Sequence, residues 1–282
     1  MATLCLFTEA PASDFKPVYR VARKPSGYDF AGEELKFRLY WTIFHVADSV
    51  SKVERVDGKR LKFWGKVSTA GVASWFRKIS DEGYSIWNEE LSSPEKTYLY
   101  QNEGDYQRIR IYTYDFKKMV VRYEKINPRK KKVQLKFIKI PSIPFEDIVS
   151  AVYYFRRYGI FQVGKETVFP LFAGGKFQNV SFRVVRREKI DTLFGRIDAY
   201  RVVPSNNLSP EGAFRRKGKV VFWFTADRRH LPVKAVAEVA IGSVSAVLVD
   251  AKGRDFDLRK EYEKKREESF FEKVLTGDFG GD

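Results

Sequence analysis

The segment from Gly212 to Asp250, GAFRRKGKVVFWFTADRRHLPVKAVAEVAIGSVSAVLVD, constrains the fold most, because it reads as three consecutive strands joined by short polar turns. Val220, Phe222 and Phe224 alternate with Val221, Trp223 and Thr225, so one face can enter a core while the other forms a different surface. Such a run commits the chain to an antiparallel sheet. The 24 Phe and 15 Tyr residues of the whole chain favour strands further, and 282 residues suffice for a large all-β domain with an extensive interior.

The same punctuation continues upstream. GEELKFRLYW, from Gly32 to Trp41, begins the first strand after a polar, proline-containing lead-in over 13–31. Strand patterns over Ile43 to Val56 and Arg60 to Val67 flank Asp57-Gly58, a strong hairpin signal. Between Ser68 and Ile79 the period changes: Val72, Trp75, Phe76 and Ile79 fall at helical spacing, with Ser68 or Thr69 as N-cap, which predicts a short helix. The strands resume as YSIWNEEL, KTYLYQNE, YQRIRIYTYD, KMVVRYEKI and VQLKFIKI.

A second helix is expected over Phe145 to Tyr158. Pro144 opens it, Glu146 and Asp147 lie at its positive end, Arg156 and Arg157 at its negative end, and Gly159 stops it. Alone among strands, it is expected to sit against the concave side of the sheet. Further strands are read over Thr167 to Phe172, Lys176 to Arg187 and Arg196 to Val203. After Gly253 the charge-dense tail, 253–282, reads as an appended helix that Phe270, Phe271, Val274 and Leu275 could dock.

The formal net charge of +16 draws the protein toward anionic surfaces: nucleic acid, phospholipid headgroups or outer-membrane lipid. Part of the excess is local, since Arg129, Lys130, Lys131 and Lys132 follow Pro128 in a turn-like setting. They read first as a solvated hairpin tip and second as a contact for an anionic membrane surface. Basic and aromatic residues also interleave in YQRIRIYTYDFKKMVVRYEK, but ordinary alternation would place Arg108, Arg110 and Arg122 outward and Ile109, Ile111 and Val121 inward. Nucleic acid is therefore disfavoured as a partner. Abundant Lys, Arg and Glu with few Cys and Met fits a heat-adapted source.

Cys5 is the single cysteine, so the chain beyond Ala12 holds no thiol for a disulfide, a redox couple or a nucleophile. MATLCLFTEAPASDF resembles the end of an export signal closing on Ala10-Pro11-Ala12. It lacks a basic n-region, which predicts a truncated signal over 1–12 and a periplasmic or otherwise exported protein, cytoplasmic if the start is correct. His45 and His230 are the only histidines, and neither has a partner at ligand-like spacing, so no metal or cofactor is expected. His45 reads as a hydrogen-bonded structural residue and His230 as a solvated turn residue.

No G-x-S-x-G occurs, and Gly174-Gly175 lacks a following Gly-Lys-Ser/Thr. The acidic pairs Glu89-Glu90, Glu146-Asp147 and Glu103 with Asp105 are too common a pattern to indicate glycosidase chemistry. No catalytic residue is assigned.

In order along the chain, GEELKFRLYW, STAGVASWFRKISDEGYSIW, PFEDIVSAVYYFRR, VGKETVFPLFAGGK and the closing FRRKGKVVFWFTADRRHLPVKAVAEVAIGSVSAVLVD resemble the DUF3108 family of exported bacterial proteins of unassigned function. The resemblance implies a mainly β fold over 32–252: a large antiparallel curved sheet or partly open β-barrel enclosing one or two short helices, similar to envelope lipoprotein carriers, with a C-terminal helix after it. By that analogy the expected function is non-enzymatic binding of a lipid, lipidated chain or peptide in an apolar groove. Trp41, Trp64, Trp75, Phe76, Tyr153, Tyr154 and Trp223 are the candidate groove residues, where core packing competes as an explanation. The alternatives are an envelope assembly factor acting through protein contacts, a basic nucleic-acid-binding protein and an unrecognised enzyme.

Overall fold

A computed structural model describes residues 15–71, 78–204, 220–239 and 241–264. One 16-stranded sheet dominates it. Its first half is a meander: β1 (Glu34–Trp41), β2 (Phe44–Arg55), β3 (Arg60–Thr69), β4 (Ser80–Asn88), β5 (Ser93–Glu103), β6 (Tyr106–Asp115), β7 (Val120–Asn127) and β8 (Lys132–Lys139). The second half comprises β9 (Glu146–Asp147), helix α1 (Ala151–Tyr158), β10 (Glu166–Ala173), β11 (Lys176–Thr192), β12 (Gly195–Pro204), β13 (Val220–Thr225), β14 (Pro232–Glu238), β15 (Ser243–Gly253) and β16 (Phe256–Asp257).

The strands run in the order β8-β7-β6-β5-β4-β3-β2-β1-β15-β14-β13-β12-β11-β10-β9, with β16 added beside β15. Among the described residues every strand pairing is antiparallel except that of β9 with β10. The seam between the halves is the β1–β15 pair, in which Leu35 faces Ala251 and Trp41 faces Val244. Turn chemistry explains the meander: Asp57 Oδ1 accepts the N–H groups of Lys59 and Arg60, and Asp115 Oδ1 accepts those of Lys117 and Lys118.

The sheet curves around α1. Tyr153, Tyr154 and Phe155 of the helix join Phe63 of β3, Trp87 of β4, Phe169 of β10, Phe182 of β11 and Phe224 of β13 in the main core. Phe63 stacks on Tyr153 at a centroid distance of 4.1 Å, and Phe155 stacks on Phe182 at 4.7 Å. Inside this apolar cluster Arg156 makes a two-pronged ion pair with Glu33, both contacts being 2.6 Å, and also donates to the Arg229 carbonyl. A second cluster of Tyr112, Tyr114, Tyr123, Phe145, Phe172 and Phe177 holds the β6–β7 end against β10 and β11. Side-chain contact closes the barrel there.

Helix α1 is shorter than its sequence pattern predicts. Glu146 and Asp147 form the two-residue strand β9, so neither acid lies in a first helical turn. The reason is local: Asp147 Oδ1 accepts the N–H groups of Val149 and Ser150 in a turn that delays the helix to Ala151. Gly159 ends α1 by turning to extended backbone (φ −66°, ψ 143°), and a Cβ there would lie 2.3 Å from the Phe155 carbonyl. The expected helix between Ser68 and Ile79 lies largely outside the described residues. Ser68 and Thr69 belong to β3, and Thr69 Oγ1 accepts the N–H of Ile79.

Residues 258–264 are helical, hereafter α2, and Arg229 ties them to the body through Glu261 at 3.1 Å. Phe270, Phe271, Val274 and Leu275 lie outside the described residues. His230 is not solvated as its turn position suggests: its ring stacks on Phe161 at 3.6 Å, Nδ1 lies 3.2 Å from the Thr225 carbonyl, and burial holds its pKa below the ordinary value. His45 is hydrogen-bonded to Asp48 at 2.9 Å.

Candidate functional site

The strand register shows how a cavity arises. Residues paired directly across antiparallel strands share a face, which places Val53, Phe63, Ser85, Thr97 and Tyr112 in one row on the concave side. The next row toward one rim is Ser51, Gly65, Gly83, Leu99 and Arg110. On β3 and β4 the side chains thus shrink from Phe63 to Gly65 and from Trp87 through Ser85 to Gly83. The volume they leave is a cavity of about 590 Å³, walled by Val67, Leu99, Tyr112, Val149 and Phe172, with Gln101, Arg110, Lys176 and Gln178 as its polar groups on β5, β6 and β11. Asp81 and Glu82 add two acids on β4.

Asp147 forms the floor. Its Oδ2 accepts hydrogen bonds from Ser85 Oγ at 2.6 Å and from Thr97 Oγ1, while Oδ1 accepts the two backbone N–H groups of the following turn. Because Thr97 donates to Asp147, it accepts from the Tyr114 hydroxyl at 3.0 Å. Burial pushes the Asp147 carboxyl up, and these donors oppose the rise. Glu146 points the other way, where Trp87 Nε1 donates to both its oxygens at 3.3 and 3.1 Å. Burial pushes Glu146 well above the usual carboxylate range; Ser150, Trp87 and Arg157 counteract this, and Asp147 reinforces it.

Arg110 is the site residue that sequence reasoning placed on the wrong face. It is 4% exposed, and Nη1 donates to Gln101 Oε1 at 2.5 Å. Arg108 shares its face, whereas Arg122 is outward and Val121 inward as alternation predicts. Strand β6 alternates Arg108, Arg110, Tyr112 and Tyr114 against Ile109, Ile111 and Thr113, so both faces carry apolar atoms. The available signal was that the arginines are in phase with two tyrosines that can enter a core.

The five aromatic candidates among the described residues do not all meet at one place. Tyr153 and Tyr154 are buried in the main core. Trp64 lies on the convex side, opposite in phase to Phe63 and in register with Lys52 and Tyr84. Trp41 is exposed at the end of β1, and Trp223 donates to Glu188 Oε1 at 2.8 Å with Arg201 and Lys234 over its ring. None of these five lines the cavity. Trp75 and Phe76 lie outside the described residues. Arg129 to Lys132 form an exposed tip between β7 and β8, where Arg129 pairs with Asp105 at 2.8 Å. Among the described residues no group of three His, Cys, Asp or Glu side chains could hold a metal ion.

A family model described as a protein of unknown function, DUF3108, matches residues 36–249. No curated protein matches the chain. Among solved structures, the β-barrel-like DUF1849 protein of Brucella abortus is similar at a TM-score of 0.50 and 8% identity, covering 81% of this chain and 100% of that one. Weaker likenesses are a candidate exported protein with a YmcC-like fold from Bacteroides fragilis and a candidate lipoprotein from Parabacteroides distasonis. The first has a TM-score of 0.31 and 11% identity and covers 79% and 96% of the two chains; the second has 0.28 and 9% and covers 81% and 99%. The Brucella likeness supports the barrel-like fold alone.

Proposed function

This chain belongs to the DUF3108 family of proteins of unknown function, and we propose that it is a non-enzymatic cell-envelope protein that shelters an amphiphile, a lipid or the acyl part of a lipidated chain, in its concave cavity. The observation that carries this reading is the stepwise loss of side-chain volume along β3 and β4, which opens about 590 Å³ between apolar walls while the concave face around α1 is filled. That volume lies in the range of small-molecule pockets, roughly 300–1,000 Å³. Val67, Leu99, Tyr112 and Phe172 would take an apolar stem. Arg110, Gln101, Lys176 and Gln178 would face a polar head. An envelope location is part of the proposal and rests on the family resemblance of the sequence motifs; among the described residues no helix is long and apolar enough to cross a membrane.

The test is native mass spectrometry of the full chain purified without detergent, before and after incubation with a lysophospholipid. A bound mass is expected for the native chain. Gly65→Leu should reduce it, because a Cβ at Gly65 meets only the Val50 carbonyl at 3.7 Å and the larger side chain would occupy the cavity. A ligand-free mass with no uptake would overturn the reading.

A second reading, an assembly factor, is favoured by the end of the sheet: β8 pairs with β7, and among the described residues no strand covers its other edge. Deletion of residues 254–282 probes the tail's part in it. Loss of envelope partners with folding and lysophospholipid uptake intact would support assembly through the tail, and unchanged partners would remove the tail from that role.

A further inference from the structure

Antiparallel meanders alternate their turns between two rims, and one of the two carries a cluster of large exposed apolar residues. One rim carries the β1–β2, β3–β4, β5–β6, β7–β8, β10–β11, β12–β13 and β14–β15 connections, of which β3–β4 and β12–β13 run partly or wholly outside the described residues. On it Ile43 is 82% exposed, Ile241 75%, Phe44 59% and Trp41 43%. These four form one patch, since Trp41 Nε1 donates to the Ile241 carbonyl at 2.9 Å and the Thr42 N–H donates to the Ser243 carbonyl. Four large apolar side chains on two adjoining turns exceed the scattered exposure of an ordinary surface. The Arg129 to Lys132 tip belongs to the same rim, and Val133 beside it is also exposed.

Basic residues stand behind the apolar patch on the convex face. The register Arg38, Val247, Lys234, Trp223, Arg201, Arg186 runs across β1, β15, β14, β13, β12 and β11. Asp48 opposite Arg38 and Glu188 beside Trp223 and Arg186 offset part of that charge. Arg38 precedes Trp41 by three residues, so this row lies roughly 10 Å back from the tip at strand rise. A bilayer's headgroup layer is roughly 5–8 Å thick on each side. An apolar tip with an indole at its base and cations one layer behind matches that profile.

We propose that this rim docks on an anionic phospholipid bilayer, with Ile43, Phe44 and Ile241 entering the interface and Trp41 at headgroup level. The net charge of +16 supplies the long-range attraction. Cavity residues Gln101, Arg110, Gly174 and Lys176 lie near the same rim, so docking would turn the cavity toward the membrane. The docking inference itself does not require the cavity to hold a ligand.

The test is flotation of the full chain with phosphatidylcholine vesicles that contain or lack phosphatidylglycerol. Binding to the phosphatidylglycerol vesicles is expected, weakening as salt rises. The double variant Ile43→Asp/Phe44→Asp should lose about tenfold or more in partitioning, by removal of inserted apolar area. Leu193→Asp, an exposed apolar residue on the opposite rim, should bind as the native chain. Thermal melts establish that both variants fold. No flotation at low salt, equal binding by the double variant, or an equal loss with Leu193→Asp would each overturn the proposal. Self-association abolished by the double variant, without vesicle binding, would make the rim an interface between copies and overturn it too. Success here with no lysophospholipid uptake would separate membrane docking from the cavity reading.

Discussion

Two regions of one concave surface end in opposite ways. Around α1 the surface is filled: Phe63, Tyr153, Phe155, Phe169 and Phe182 interlock, and even a charged pair, Glu33 with Arg156, is enclosed. One register row away, Gly65 and Gly83 leave the surface open. The backbone of β3 and β4 is continuous through both regions. Side-chain volume at alternate positions therefore decides where the barrel is core and where it is open cavity, and the boundary is sealed by Asp147 bound to Ser85 and Thr97.

Breaking the filled region should have the largest effect. Glu33→Ala leaves the guanidinium of Arg156 enclosed without its partner and should cost about 3–5 kcal/mol by urea denaturation. The double variant Glu33→Leu/Arg156→Met should recover most of that loss, because it removes both charges together. Recovery would identify the uncompensated charge as the cause; equal loss in both variants would point to packing. Phe63→Ala removes the ring stacked on Tyr153 and should cost about 3 kcal/mol, with a similar measurement.

The filled and open regions differed in how legible they were from sequence. Strands announced themselves through alternation and turn residues, so β6 runs over Tyr106–Asp115 as read and Asp57-Gly58 joins β2 to β3. Glu146 and Asp147 misled because proline followed by two acids also describes a helix start, and only the contacts of Ser85, Trp87 and Thr97 distinguish the two cases. Large aromatics drew attention to Trp41, Trp64 and Trp223, whereas the cavity is produced by small residues. Gly65 and Gly83 mean little until the register sets them side by side.

The boundary between the regions should respond to pH. Burial raises the Glu146 carboxyl in the folded chain, so the folded state holds its proton more tightly than the unfolded state. The associated stability is fully present below the unfolded value and declines as pH rises through the raised folded value. Glu146→Gln keeps an acceptor for Trp87 Nε1 and should flatten that decline. Denaturation midpoints measured from acid to neutral pH compare the two chains, and parallel slopes would assign the pH dependence to other groups.

On the convex side the effect should be smaller. Trp223→Phe keeps an aromatic ring beside Arg201 and Lys234 but removes the donor to Glu188, a half-buried hydrogen bond worth about 1 kcal/mol. Because Trp223 lies outside the cavity, lysophospholipid uptake should remain unchanged. Lost uptake would contradict the placement of the site.

The smallest stability change, and the sharpest contrast, is expected two residues from Phe63 on the same strand and face. Gly65→Leu adds a side chain where Phe63→Ala removes one. At Gly65 the nearest atom to a new Cβ is the Val50 carbonyl oxygen at 3.7 Å, an ordinary contact, and the backbone needs no left-handed conformation. Replacing glycine within a strand also removes an entropic cost of roughly 0.5–1 kcal/mol. The melting temperature should therefore hold or rise slightly while uptake falls, separating stability from binding at one position. A loss comparable to that of Phe63→Ala would mean that the open region is as tightly constrained as the filled one, and the contrast between them would fail.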